Sequence, residues 1–159
     1  MSLPKPDLPQ HEPATAHALA QHDTGAGGGL PEFLGIRTAE TGSGHLACEL
    51  AVRDELLNPF GTLHGGVISA LTDHALGAVL YTVMEPGSWA ATTEFKLNLI
   101  APVRAGILHA EADIIAMTKR TAVVRVDITN DGRAVGAAQG TVSIKPAPAA
   151  PAVNGQSGS

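Results

Sequence analysis

The apolar residues of this chain recur with two periods, and the change from one to the other divides the sequence into elements. In residues 45–52, HLACELAV, Leu46, Cys48, Leu50 and Val52 fall on one side and His45, Ala47, Glu49 and Ala51 on the other. That alternation predicts a half-buried strand. Over residues 67–83 the residues Val67, Ile68, Leu71, Ala75, Ala78, Val79 and Leu80 recur instead at three- and four-residue spacing. Ala and Leu favour helix, so this spacing predicts a long helix, apolar on most faces and wrapped on nearly all sides. Period two then returns. Residues 89–100 set Ala91, Thr93, Phe95, Leu97 and Leu99 against Thr92, Glu94, Lys96 and Asn98. Residues 106–118 set Leu108, Ala110, Ala112 and Ile114 against His109, Glu111 and Asp113, and residues 121–129 set Ala122, Val124, Val126 and Ile128 against Val123, Arg125 and Asp127. A further strand is expected over 134–144.

Turn residues punctuate these segments. Pro31 opens a possible helical turn closed by Gly35, after which extended chain is expected. Ala101-Pro102 ends one strand, Lys119-Arg120 makes a turn, and Asp131-Gly132 is the signal of a tight hairpin. Strands joined by such short turns form an antiparallel meander. Residues 1–29, rich in Pro, Ala, His and Gly, read as a flexible arm, and residues 146–159 as a low-complexity tail, leaving 30–145 as the folded domain. Two strands, a long helix and three or four long strands give an α+β fold: a curved antiparallel sheet wrapped around one long central helix.

Composition narrows the class of partner. The 159 residues are 44% hydrophobic and 16% charged, which suits one soluble domain. A net charge of −5 gives no basic footprint, and with few aromatic side chains for stacking, nucleic-acid binding is not expected. The single Cys48 excludes an internal disulfide, and no leader or membrane-spanning run is legible, so a cytoplasmic protein is expected. His11, His17 and His22 lie on the arm without the Cys or carboxylate pattern of a metal site, and read as solvated.

Candidate chemistry concentrates in residues 58–83, NPFGTLHGGVISALTDHALGAVLYTV. His64-Gly65-Gly66 enters the helix and leaves backbone N–H groups at its positive end, an oxyanion hole or a phosphate cradle. Ser69, Asp73 and Gly77 share one helix face, so a carboxylate sits between small residues one turn before and after it. Asp73 is then a candidate nucleophile or base. Seven residues of helix separate Asp73 from Gly66, ~10 Å along the axis, too far for one carbonyl to touch both. If both serve one reaction they come from two copies of the chain, and a two-fold dimer with composite sites meets that need. Taken singly, Asp73 reads as a solvated helix position, His64 as a helix-entry residue and Asn58 as a turn residue bonded to its own main chain.

Taken together, N-P-F-G-T-L-H-G-G followed by V-I-S-A-L-x-D-x-x-x-G resembles the signature of the hot-dog acyl-CoA thioesterases, in particular the phenylacetyl-CoA thioesterase-like subgroup, over residues 31–145. The resemblance implies that Gly65 gives the oxyanion N–H, with Gly66 beside it and His64 shaping the loop. It places Asn58 near the thioester or the water, makes Asp73 of the partner subunit the nucleophile or general base, and puts Thr92 where it helps place the water. Gly77 stands where some relatives carry a hydroxyl residue. The substrate implied is an acyl-CoA, no metal or other cofactor is required, and the assembly expected is a homodimer or a tetramer of two dimers. Arg104, Lys119, Arg120 and Arg133, in or near turns, are candidates for the CoA phosphates. The alternatives are a hot-dog hydroxyacyl dehydratase or hydratase, which pairs a His with an acid, and a non-catalytic acyl-CoA-binding module.

Overall fold

A computed structural model describes residues 6–8 and 29–146, so His11, His17, His22 and the tail beyond 146 lie outside the described residues. In chain order the elements are α1 (Leu30–Leu34), β1 (Arg37–Gly42), β2 (His45–Ala51), α2 (Gly65–Ala78), β3 (Trp89–Leu99), β4 (Ile107–Met117), β5 (Thr121–Asn130) and β6 (Arg133–Lys145). The strands form one six-stranded antiparallel sheet in the order β1-β2-β4-β5-β6-β3. The expected meander is β4-β5-β6. Its second hairpin turns at Asp131 and Gly132, with φ of 51° and 76°, the left-handed pair that an Asp-Gly turn supplies. β3 joins the far end of the sheet, hydrogen-bonded to β6, and is an edge strand.

The sheet curls around α2, as the fold class read from the sequence requires. Side chains from the alternating positions cross the concave face in rows: Leu46, Ala112, Val126, Ala138 and Leu97 face one another strand by strand, and so do Cys48, Ala110, Ile128, Gly136 and Leu99. Cys48 is fully buried as a core residue. Onto this face α2 lays Val67, Ile68, Leu71, Thr72, Ala75, Leu76 and Ala78. β6 makes room with small residues. A Cβ at Gly140 would stand 2.6 Å from Phe95 Cβ and 3.1 Å from Leu76 Cδ1, so strand, edge and helix meet at one glycine.

The helix stops earlier than its apolar pattern predicts. After Ala78 the chain tightens into a 3-10 turn, Val79–Thr82. Thr82 Oγ1 donates to the carbonyl of Val79 at 2.7 Å and accepts the N–H of Gly44 at 3.0 Å, tying the helix end to the β1–β2 turn. Leu8, within the stretch read as an arm, packs against the core. Arg53 closes α1 by donating to the carbonyls of Leu34 and Phe33, both at 3.0 Å. The Glu55 carboxyl is held below its ordinary value by its own backbone N–H and then by Arg53.

Candidate active site

The approach to α2 is a clamped loop. Asn58 Oδ1 accepts the N–H groups of Phe60 at 2.9 Å and Thr62 at 3.3 Å, and Asn58 Nδ2 donates to Thr62 Oγ1 at 2.8 Å. Gly61 takes the left-handed φ of 70° that the turn needs, and Arg104 donates to its carbonyl at 3.1 Å. Leu63 N–H bonds to Val103 O at 2.7 Å, and His64 N–H to Leu56 O at 3.0 Å. With its backbone fixed on both sides, His64 becomes the N-cap of α2, and its ring Nδ1 accepts the Gly66 N–H at 2.9 Å.

That cap corrects the expectation of an open double-glycine cradle. Gly66 N–H is consumed by the His64 ring, while Gly65 N–H has no hydrogen-bond partner among the described residues. One bare donor remains at the positive end of the helix. Gly65 lies close under Leu99: a Cβ there would stand 2.8 Å from Leu99 Cδ1.

Asp73 projects from the one helix face the sheet leaves open and is exposed, rather than desolvated within the single chain. It lines a depression of about 490 Å³ together with Gly66, Ser69, Ala70, Thr92 and Phe95. Thr92 reaches it through a feature absent from the alternation read for residues 89–100. The β3–β6 register shifts between Thr92 and Glu94, leaving Thr93 as the extra residue of a β-bulge. Thr92 therefore faces Val142, and Phe95 faces Gly140, on the same concave side; the alternation had put Thr92 on the opposite face from Phe95. Thr93 and Glu94 turn to Thr141, whose carbonyl and hydroxyl they engage at 2.9 and 2.6 Å. The sequence signal was the run Thr92-Thr93-Glu94, three polar residues where alternation demands an apolar one.

A second depression, of about 260 Å³, lies at the other end of the α2–β3 groove and holds Asn58, Gly65, Ile68, Leu99 and Ile100. The structure thus brings Asn58 and Gly65 together, brings Asp73, Gly66 and Thr92 together, and keeps the two groups apart within one chain. Gly77 lines neither depression, and a Cβ built on it meets nothing within 4 Å. Of the basic candidates, Arg104 is anchored on Gly61 O and Arg133 on Pro102 O at 2.8 Å, beside the second depression, whereas Lys119 and Arg120 lie in the β4–β5 turn. Leu99 was not singled out from the sequence, where it was one more apolar position of a strand. Among the described residues no cluster of three or more His, Cys, Asp or Glu is arranged to hold a metal, and no helix is long and apolar enough to cross a membrane.

Comparison with known proteins gives the family. Residues 60–137 match the model of the thioesterase superfamily. The chain is 33% identical over 103 residues to a 1,4-dihydroxy-2-naphthoyl-CoA hydrolase of Listeria monocytogenes, covering 65% of this chain and 84% of that one. Among solved structures, a thioesterase of Staphylococcus aureus superposes with a TM-score of 0.70 at 29% identity, covering 73% of this chain and 98% of that one. The Escherichia coli PaaI protein from the phenylacetic acid degradation operon shares the fold, with a TM-score of 0.73 at 24% identity over 84% of this chain and 93% of that one. With its hot-dog fold, its helix-entry glycines and a relative matched along most of its length, the chain belongs to the thioesterase superfamily.

Proposed function

We propose that the protein hydrolyses acyl-CoA thioesters to the free acid and CoA, in the cytoplasm, at composite sites formed by a two-fold homodimer. The observation that carries the proposal is the split of the site: a bare Gly65 N–H beside Asn58 in one depression, and a carboxylate beside Thr92 in the other. Two copies with their α2 helices side by side in opposite directions bring unlike halves together. The open face of α2 and the edge strand β3, none of whose residues is fully buried, form the surface such a pairing would cover.

In each site the Gly65 N–H of one subunit receives the thioester carbonyl, and Asp73 of the partner subunit drives addition to the carbonyl carbon, directly or through water. Negative charge collects on the carbonyl oxygen, where an oriented donor stabilises it by ~3 kcal/mol. Collapse breaks the C–S bond. Where water adds, the proton Asp73 took from it goes to the departing sulfur; where Asp73 adds, water then cleaves the acyl-aspartyl anhydride, freeing the acid and returning the carboxylate, and supplies the proton of the CoA thiol. Asn58, its amide oxygen spent on two backbone N–H groups, keeps one amide hydrogen beyond that given to Thr62 and holds the loop that presents Gly65. Thr92 stands ready to orient the water.

The relatives support this assignment. The Listeria protein is named for hydrolysis of an aryl-CoA thioester. The Staphylococcus thioesterase has been solved with a glutamine replaced by alanine and with a glutamate fifteen positions further on replaced by alanine, the same separation as Asn58 from Asp73. The dehydratase alternative pairs a His with an acid in one site, and here His64 lines neither depression. The tetramer expected from the sequence would pair two such dimers. The outer sheet face carries the His45–Asp113 and Arg125–Asp127 pairs at 3.0 and 3.1 Å.

The test is release of free thiol from aryl, short-chain and long-chain acyl-CoAs, wild type beside Asp73→Ala. Turnover in the wild type that vanishes in the variant, with acyl-CoA binding retained, is the expected result. Unchanged turnover in Asp73→Ala, or none in a folded dimeric wild type, overturns the proposal.

A further inference from the structure

Resting on the thioesterase reading, the geometry points to Leu99 as the residue that sets how much bulk the enzyme tolerates on the acyl α-carbon, the atom next to the thioester carbonyl. Two features meet at this side chain. The first is closeness to the donor: Leu99 shares the 260 Å³ depression with Gly65, and its Cδ1 stands 2.8 Å from the place a Gly65 Cβ would occupy. The second is freedom. Leu99 lies on the edge strand, its register partner on β6 is Gly136, which offers no side chain beside it, and it remains 55% exposed. An aliphatic methyl thus lies against the donor residue without being locked into the core.

A carbonyl oxygen accepting from Gly65 N–H must come within about 3 Å of that nitrogen, which brings the carbonyl carbon and its first substituent against the Leu99 methyls. A planar aryl carbonyl or an α-methylene passes beside them. An α-branched carbon carries a methyl out of the carbonyl plane and into the space Cδ1 fills. The depression has other apolar walls, Leu63, Ile68, Ile100 and Val103 among them, but only Leu99 comes within 4 Å of the place a Gly65 Cβ would occupy.

The experiment compares kcat/KM for butyryl-CoA, isobutyryl-CoA and benzoyl-CoA in the wild type, Leu99→Ala and Leu99→Met. In the wild type, butyryl-CoA and benzoyl-CoA are expected to exceed isobutyryl-CoA by about tenfold or more, the range set by one methyl group in an apolar pocket. Leu99→Ala is expected to bring the butyryl-to-isobutyryl ratio close to one, while Leu99→Met, of similar volume but unbranched, keeps part of the preference. Leu99 lies outside the core of its own chain, and an unchanged thermal midpoint with an unchanged dimer mass checks that fold and assembly are both retained. A ratio that stays at the wild-type value in Leu99→Ala overturns the inference, as does an equal loss on all three substrates. Failure of the thioesterase reading is separate: it shows as no Asp73-dependent turnover of any of the three in the wild type.

Discussion

His64 does two jobs that pull on the same atoms. Its backbone sits between Leu56 O and the first turn of α2, and its ring takes the Gly66 N–H. The ring therefore stabilises the helix while lowering the number of donors a substrate can reach. Removing it separates these effects. His64→Ala is expected to lower stability by ~1 kcal/mol, the usual loss of an N-cap, and His64→Asn, a good cap, to restore most of it; urea unfolding midpoints decide the matter, and equal midpoints for wild type and His64→Ala would exclude the cap as a stabilising contact. Asn58 shows the same double character. Read singly it was a turn residue, and its amide oxygen is indeed bonded to its own main chain, yet the turn it builds faces the depression containing Gly65.

Among the elements, β3 separates what period can tell from what it cannot. The alternations of β2, β4 and β5 were legible because the positions read as one face, Leu46 to Leu50, Leu108 to Ile114 and Ala122 to Ile128, are the ones buried against α2. A sheet with one face on a helix enforces that pattern on the sequence. The bulge at Thr93 left a mark in the polar run Thr92-Thr93-Glu94, but which residue it displaces was not legible, since that is defined by the register of β3 on Val142 and Thr141 of a strand some fifty residues later. The same holds for the helix end, where Thr82 is held by Gly44, and for the Gly66 cap, which requires a particular ring orientation. The register fixes the outcome of deleting Thr93: the ladder becomes continuous while Thr92 stays opposite Val142, two places from Phe95 on the concave face. Hydrolysis is therefore expected to be largely retained in the deletion variant, with the circular dichroism spectrum unchanged. A fall of about a hundredfold, the scale of a misplaced positioning group, in a variant that folds would show that Thr93 itself places the site.

For the whole molecule, composite sites make a quantitative prediction about mixtures. Asp73→Ala and Asn58→Ala damage opposite halves. In a heterodimer of the two, one site collects both lesions and the other collects neither. Unfolding and refolding an equimolar mixture is expected to yield about a quarter of wild-type activity from two nearly inactive parents, given random pairing of a two-fold dimer. Activity no greater than the mean of the parents would place each site within a single chain.

The single open donor also bears on the range of chemistry this protein performs. One N–H at a helix end lowers a barrier by about two powers of ten, far less than a hole lined by several donors. Such a centre leaves most of the electrophilicity to the substrate. A sulfur ester brings it, because sulfur delocalises poorly into the carbonyl and departs readily. An oxygen ester or an amide of the same acid does not. With the second N–H given to the His64 ring, the proposed reaction would carry its selectivity among bond types within itself: oxygen esters and amides with identical acyl groups are expected to go unhydrolysed, without any pocket having to recognise and reject them.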